Sequence, residues 1–334
     1  MTAPRSEARG TRPVGGDGGH FAPSMLYAAA KMYYDEDATQ AEVARKLHTS
    51  RATVSRLLSE ARRQGIVRIE VIAPDYENNE DLGAAVATAL GLARVYISAP
   101  MPAPAAGRTA EDVMGSVLAP AVGRALGEVG LVPGDVLLVS SGRTVYEVSR
   151  FELPRLPGIV VAPTVGGTDQ PEGWYQTNEI TRRVAERIGG RATYLFAPAL
   201  PGPGLFENLR SDPAIQRVLH LWPNARCVLT GVGAPPLVRS KAPLFVDASS
   251  AALVEAVGDV CSRFYAENGD PVVFPGSERM IALELSVLRG LPTVIAVAAG
   301  QEKVPALIAA ARAGYITQLV TDPQTAEQLL ARIS

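Results

Sequence analysis

Cysteine is nearly missing from this chain: Cys227 and Cys261 are the only two in 334 residues. They form neither a disulfide framework nor a metal-ligand spacing, so no metal and no disulfide-stapled scaffold is expected. Histidine is almost as scarce, at His20, His48 and His220, and none falls in a loop suited to acid-base catalysis. Lysine occurs only at Lys31, Lys46, Lys241 and Lys303, against a much larger arginine complement. The longest apolar runs, such as residues 291–299, fall far short of the ~20 residues that span a bilayer. The opening residues are polar, glycine-rich and dotted with arginine, without a signal-peptide pattern. These absences lead us to expect a cytoplasmic protein with no membrane contact and no cofactor.

What is present is concentrated at residues 38–63, ATQAEVARKLHTSRATVSRLLSEARR. Thr39 can cap a first short helix whose Val43, Ala44 and Leu47 share one face. His48 and Thr49 make a turn, and Ser50 caps a second helix running through Ala61. Val54, Leu57, Leu58 and Ala61 give that helix a core-facing stripe. Arg51, Thr53, Ser55 and Arg56 stand opposite, near its N-terminus. Such side chains hydrogen-bond base edges and phosphates, and helix-turn-helix proteins read DNA from this end of the second helix. With Thr39 and Gln40 they form the expected DNA-binding set. Residues 45–68 hold seven basic side chains and one acidic, a local charge of +6 in a chain whose total is −2. A basic patch confined to one small module suits a polyanion. Residues 66–72, IVRIEVI, alternate like a strand after Gly65, as the wing of a winged helix would.

The length allows about two domains, and 47% hydrophobic content can fill a sizeable core. Residues 1–23, rich in glycine and proline, are expected to be a disordered tail. The DNA-binding domain then runs over 24–73, with a supporting helix at 24–34, followed by a linker at 74–80 and a second domain at 81–334. That domain alternates helix and strand. Helices are expected at 82–90, 110–129, from 145, and at 179–188, 214–220, 277–289 and 304–313. Strands or short apolar runs fall at 95–98, 136–140, 159–162, 194–197, 227–230, 293–297 and 316–320. Asp322 and Pro323 open a last helix by cap and first-turn proline. This alternation implies an α/β fold, its largely parallel sheet covered on both faces. Ligands of such sheets bind at the carboxyl ends of the strands.

Three strand-end loops therefore stand out. Ser140-Ser141-Gly142-Arg143-Thr144 follows a strand and opens a helix, a setting that favours an anion or a sugar oxygen. It reads equally as a capped turn with an exposed arginine. Pro163-Thr164-Val165-Gly166-Gly167-Thr168-Asp169 leads through Gln176-Thr177-Asn178 into a helix; its glycines allow close backbone approach or positive φ, or mark only a turn. Ala298-Ala299-Gly300-Gln301-Glu302-Lys303 carries a lysine that can reach a pocket at the sheet edge or simply pair with Glu302.

From residue 24 to the C-terminus the chain resembles the SorC family of bacterial transcriptional regulators, including sugar-binding regulators once grouped with DeoR. The segments that carry the resemblance are LYAAAKMYY, TQAEVARKLHTSRATVSRLLSEARRQGIVRIEV, SSGRTVYEV, PTVGGTDQ with YQTNEI, VGDVCSRFYAENGDPV and VAAGQEKVPALIAAARAGYITQLVTDPQTAEQLL. The resemblance implies a second domain similar in fold to ribose-phosphate and glucosamine-phosphate isomerases. It would bind a sugar, polyol or sugar phosphate as effector and assemble the chain as homodimer or homotetramer on operator DNA. It also implies effector-binding roles for Ser141, Gly142, Arg143, Thr144, Gly166, Gly167, Gln176, Asn178, Asp259 and Lys303. One position departs: relatives that take phosphorylated sugars can carry a basic residue before the glycine pair, where this chain has Val165. Arg143 and Lys303 remain available to neutralise a phosphate, so unphosphorylated and phosphorylated effectors both stay open. The competing readings are a sugar-phosphate isomerase, with Asp169, Asp247 or Asp259 as acid or base, and a constitutive DNA-binding protein whose α/β domain only oligomerises.

Overall fold

The computed structural model describes residues 21–67, 78–102, 110–238 and 250–333. Most of the expected tail and wing, part of the expected linker, and Asp247 lie outside the described residues. The chain divides into two compact units, Met1–Pro74 and Asp75–Ser334.

The first unit is three helices: α1 (Pro23–Tyr34), α2 (Gln40–Lys46) and α3 (Arg51–Arg63). Its caps are the expected ones. Thr39 Oγ1 accepts the Glu42 amide at 3.3 Å while the Glu42 carboxylate accepts the Thr39 amide at 2.8 Å, a reciprocal capping box. Ser50 Oγ accepts the Thr53 amide at 3.1 Å. Between α2 and α3 the chain turns through His48 at φ 48°, and the Thr49 amide donates back to the Ala44 carbonyl, closing α2 with a left-handed residue. Leu26, Ala29, Val43, Val54, Leu57 and Ala61 are wholly buried together. Each large apolar side chain so buried contributes about 1.5–3 kcal/mol.

The second unit holds ten described helices and nine described strands. In order they are α4 (Asn78–Leu90), β1 (Arg94–Ile97), α5 (Ala110–Glu128), β2 (Val136–Val139), α6 (Arg143–Val148), β3 (Val160–Pro163), α7 (Thr177–Ile188) and β4 (Arg191–Ala192). There follow α8 (Pro203–Ser211), α9 (Pro213–Leu219), β5 (Cys227–Gly233), α10 (Ala252–Glu255), β6 (Gly258–Val260) and β7 (Arg263–Tyr265). The last are α11 (Leu285–Gly290), β8 (Thr293–Val297), α12 (Val304–Arg312), β9 (Gln318–Thr321) and α13 (Pro323–Ile333). Seven strands pair in parallel in the order β1-β9-β8-β5-β2-β3-β4, and the β6–β7 hairpin joins the end of β5 antiparallel.

Period-two alternation sorts the strand side chains between two cores. Leu137, Val139, Ile295 and Val297 face α5, α6 and α7, whereas Val136, Leu138, Val294 and Ala296 face α4, α9, α11, α12 and α13. Both faces are thus covered, as a parallel sheet requires. From β2 the chain winds outward to β3 and β4, then returns to place β5 on the other side of β2. The crevice at the carboxyl ends of β2 and β5 is therefore a topological switch point, where such sheets bind ligands.

Two expectations are corrected. Residues 194–197 form no strand: the edge pairing is made by Arg191–Ala192 alone, and Phe196 is 78% exposed. Residues 277–289 are not one helix. A 3-10 turn at Ser277–Arg279 gives way to extended chain, and α11 starts only at Leu285. Gly166 donates its amide to the Ile281 carbonyl, Ile281 to Ala199, and Leu283 to Thr164. The extended segment wins because it satisfies backbone groups of two neighbouring segments that a helix would leave unpaired.

Candidate functional site

In the first unit, Arg51, Ser55 and Arg56 are exposed on α3, opposite the buried Val54, Leu57 and Leu58. Thr53 is engaged in the cap through its amide and its hydroxyl, the latter 2.9 Å from Ser50 Oγ. Thr39 is likewise held in its capping box, and Gln40 is half-buried as the first residue of α2. Glu60, the only acidic residue of α3, binds Arg63 and Gln64 at the helix's far end. The N-terminal half of α3 thus presents arginine with no acidic side chain on the same helix beside it. Ala52, also exposed on this face, went unnoticed in the sequence.

In the second unit, β2 delivers Ser140 and Ser141 to the switch point. Ser140 Oγ accepts the Gly231 amide of β5 at 3.2 Å, which fastens the two strand ends together. Gly142 then turns the chain at φ 126°, a value open only to glycine, and α6 begins at Arg143. Beyond β8, Gly300 makes the same kind of turn at φ 118° before Lys303. Lys303 Nζ donates to Thr144 Oγ1 at 3.3 Å, so the two loops meet across the end of β5. Asp259, half-buried in β6, pairs in register with Gly233 at that same end. Its neighbour Gly258 lies against α12, where a Cβ would come within 2.5 Å of Ala306, so only glycine lets the hairpin sit so close. Ser141, Gly142, Arg143, Thr144, Asp259 and Lys303 are in this way gathered by β2, β5 with its hairpin, and β8.

The remaining site residues belong to the exit of β3. Gly166 and Gly167 are threaded against residues 197–199, with Gly167 donating to the Ala197 carbonyl at 2.8 Å. Asn178 binds the Leu195 backbone with both ends of its amide, at 3.0 and 3.2 Å. It fixes the chain leaving β4. Gln176 is exposed and donates to the Gln170 carbonyl. Val165 is 1% exposed, in an apolar cluster with Ala199, Phe264, Met280 and Ala282. Its side chain is part of the core.

A bridge between the groups that the sequence did not suggest is the 3-10 turn Gly173–Tyr175, whose Trp174 carbonyl accepts the Gly142 amide at 2.9 Å. The arrangement brings Arg143, Lys303, hydroxyls and the Asp259 carboxylate to neighbouring strand ends, a set suited to a polyhydroxyl or anionic small molecule. It offers no activated thiol, since burial pushes Cys227 up to about 12 and Cys261 up to about 11. His48 and His220 are both exposed, His220 at the end of α9. Among the described residues no group of three His, Cys, Asp or Glu is placed to hold a metal ion, and no helix is long and apolar enough to cross a membrane.

Known proteins share both units. A family model described as "Putative sugar-binding domain" matches residues 74–331, and one described as "Sigma-70, region 4" matches residues 31–64. The sorbitol operon regulator of Klebsiella pneumoniae is 31% identical over 316 residues, covering 92% of this chain and 97% of that relative. The deoxyribonucleoside regulator of Bacillus subtilis is 30% identical over 315 residues, covering 90% and 96%. The crystal structure of full-length SorC from Klebsiella pneumoniae matches with a TM-score of 0.68 at 30% identity, over 93% of this chain and 100% of that one.

Proposed function

The chain belongs to the SorC family of regulators, which join a helix-turn-helix to a sugar-binding domain, and on that premise we propose that it controls a carbohydrate-utilisation operon. The observation that carries this reading is the presence, in one chain, of an exposed arginine face on α3 and a polar crevice at a sheet switch point. Arg51 and Arg56 read base edges in the major groove, with Ser55 beside them; the Ser50 and Thr39 caps present backbone N–H groups to phosphates. A sugar, polyol or sugar phosphate binds among Ser141, Gly142, Arg143, Thr144, Asp259 and Lys303, with Gly166, Gly167, Gln176 and Asn178 shaping the adjoining wall. Arg143 and Lys303 donate to hydroxyls or a phosphate, and Asp259 accepts from a sugar hydroxyl.

The protein works in the cytoplasm as a homodimer or homotetramer, which sets paired reading helices about one helical turn apart on a roughly palindromic operator. Effector binding shifts the equilibrium between arrangements of different DNA affinity, by a coupling of typically ~1–3 kcal/mol. The sorbitol operon regulator and the deoxyribonucleoside regulator are both regulators by name, which favours regulation here over sugar-phosphate isomerisation. The reading face is tested by fluorescence anisotropy on DNA from the upstream region of its own operon, at fixed salt. Arg51→Ala and Arg56→Ala should each weaken binding at least about fivefold with an unchanged melting temperature. Wild-type affinity in both variants would refute the assignment.

A further inference from the structure

Arg143 opens α6 just beyond the carboxyl end of β2, and its guanidinium carbon stands 4.9 Å from the centroid of the Trp174 ring. The turn that carries Trp174 is itself fixed. Its carbonyl accepts the Gly142 amide, and Gly173 packs so closely on Tyr146 that a Cβ there would stand 2.8 Å from the ring. Tyr146 meets Trp174 edge-on, with centroids 6.4 Å apart. Behind Tyr146, Arg183 covers the ring at 5.1 Å and pairs with Glu179 at 2.7 Å. The indole thus belongs to a braced stack running Glu179, Arg183, Tyr146, Trp174, Arg143. Indole is the strongest side-chain partner for a guanidinium over its face. An arginine already stacked has given up its rotamer freedom before a ligand arrives, so less is lost on binding.

We propose that Trp174 is a positioning residue for effector recognition: its indole face holds the Arg143 guanidinium in the orientation that meets an anionic or polyhydroxyl ligand. This rests on the reading of Arg143 as part of the effector site. Trp174 acts through Arg143 and need not touch the effector itself.

The test uses the full chain on its operator, with a panel of sorbitol, deoxyribose, their phosphates and inorganic phosphate. The readout is the concentration of the most effective compound that gives half of its change in operator affinity. Trp174→Leu, which keeps apolar bulk without a π face, should raise that concentration roughly three- to thirtyfold. Trp174→Phe, which keeps a π face, should raise it much less. Operator affinity in the absence of compound should match wild type in both. Arg143→Ala should raise the concentration as well, and adding Trp174→Leu to it should cost nothing further, because the two residues form one unit. An undisturbed response in Trp174→Leu, or additive losses in the double variant, would overturn this proposal alone. A wild type that responds to no compound would overturn both it and the functional reading.

Discussion

Gly166 and Gly167 are adjacent and identical in type, yet only one of them needs to be glycine. A Cβ on Gly166 would stand 2.5 Å from the Ala197 carbonyl oxygen and 2.7 Å from Pro198 backbone atoms, whereas one on Gly167 would meet nothing nearer than 4.0 Å. Neither has a positive φ. Of the three meanings open to a glycine pair, close backbone approach is the one realised, and at the first position only. Gly166→Ala should therefore cost about 1–3 kcal/mol through forced backbone shifts, while Gly167→Ala stays within about 1 kcal/mol of wild type. Thermal unfolding of the two variants side by side checks this, and equal melting temperatures would contradict it. At the same scale, Asn178 and Val165 show what residue type alone conceals. The Asn178 amide braces Leu195, and the Val165 side chain sits in a core cluster.

Among the elements, α7 carries the clearest electrostatic signature. Hydrogen bonds from Arg182, and then from Arg183, hold the Glu179 carboxyl down to about 2, against an ordinary 4.5. A carboxylate whose folded-state pKa is depressed stabilises the fold above its unfolded pKa, and that stability is lost as pH falls through the folded value. Unfolding free energy from urea melts should accordingly decline between pH 4.5 and pH 2, and Glu179→Gln should flatten that decline. Parallel pH profiles for the two proteins would show that the pair contributes nothing to folding. Elements with local chemical signals were legible in the sequence: the caps at Thr39 and Ser50, the cap and proline at Asp322 and Pro323, and the buried strand Val136–Val139. The β6–β7 hairpin was not, because its two-residue turn is Cys261-Ser262 at φ 50° and 65°. Such turns usually announce themselves by Asn or Gly. At residues 280–283 the short apolar run is compatible with helix or strand, and distant backbone partners decide for extended chain. The three strand-end loops of the candidate site follow from the strand–helix alternation of the sequence; the Trp174 brace does not, since it depends on a turn 31 residues beyond Arg143 in the chain.

For the whole molecule, the two units divide the labour by charge and by pattern. A net +6 over residues 45–68 within a chain of −2 sets the polyanion-binding surface on the first unit, so operator affinity should fall steeply with salt. The second unit brings Ser141, Arg143, Thr144, Asp259 and Lys303 to the carboxyl ends of β2, β5 and β8, and a small molecule bound there would bias an equilibrium only by as much as it discriminates between states. The most direct measurement of this account is operator affinity with and without each sugar, polyol and phosphate, in wild type and in Arg143→Ala. One class of compound should change wild-type affinity several-fold at fixed salt, and the same change should be strongly reduced in Arg143→Ala. If the shift persists undiminished in Arg143→Ala, or no compound moves the wild type at all, the crevice is not the effector site.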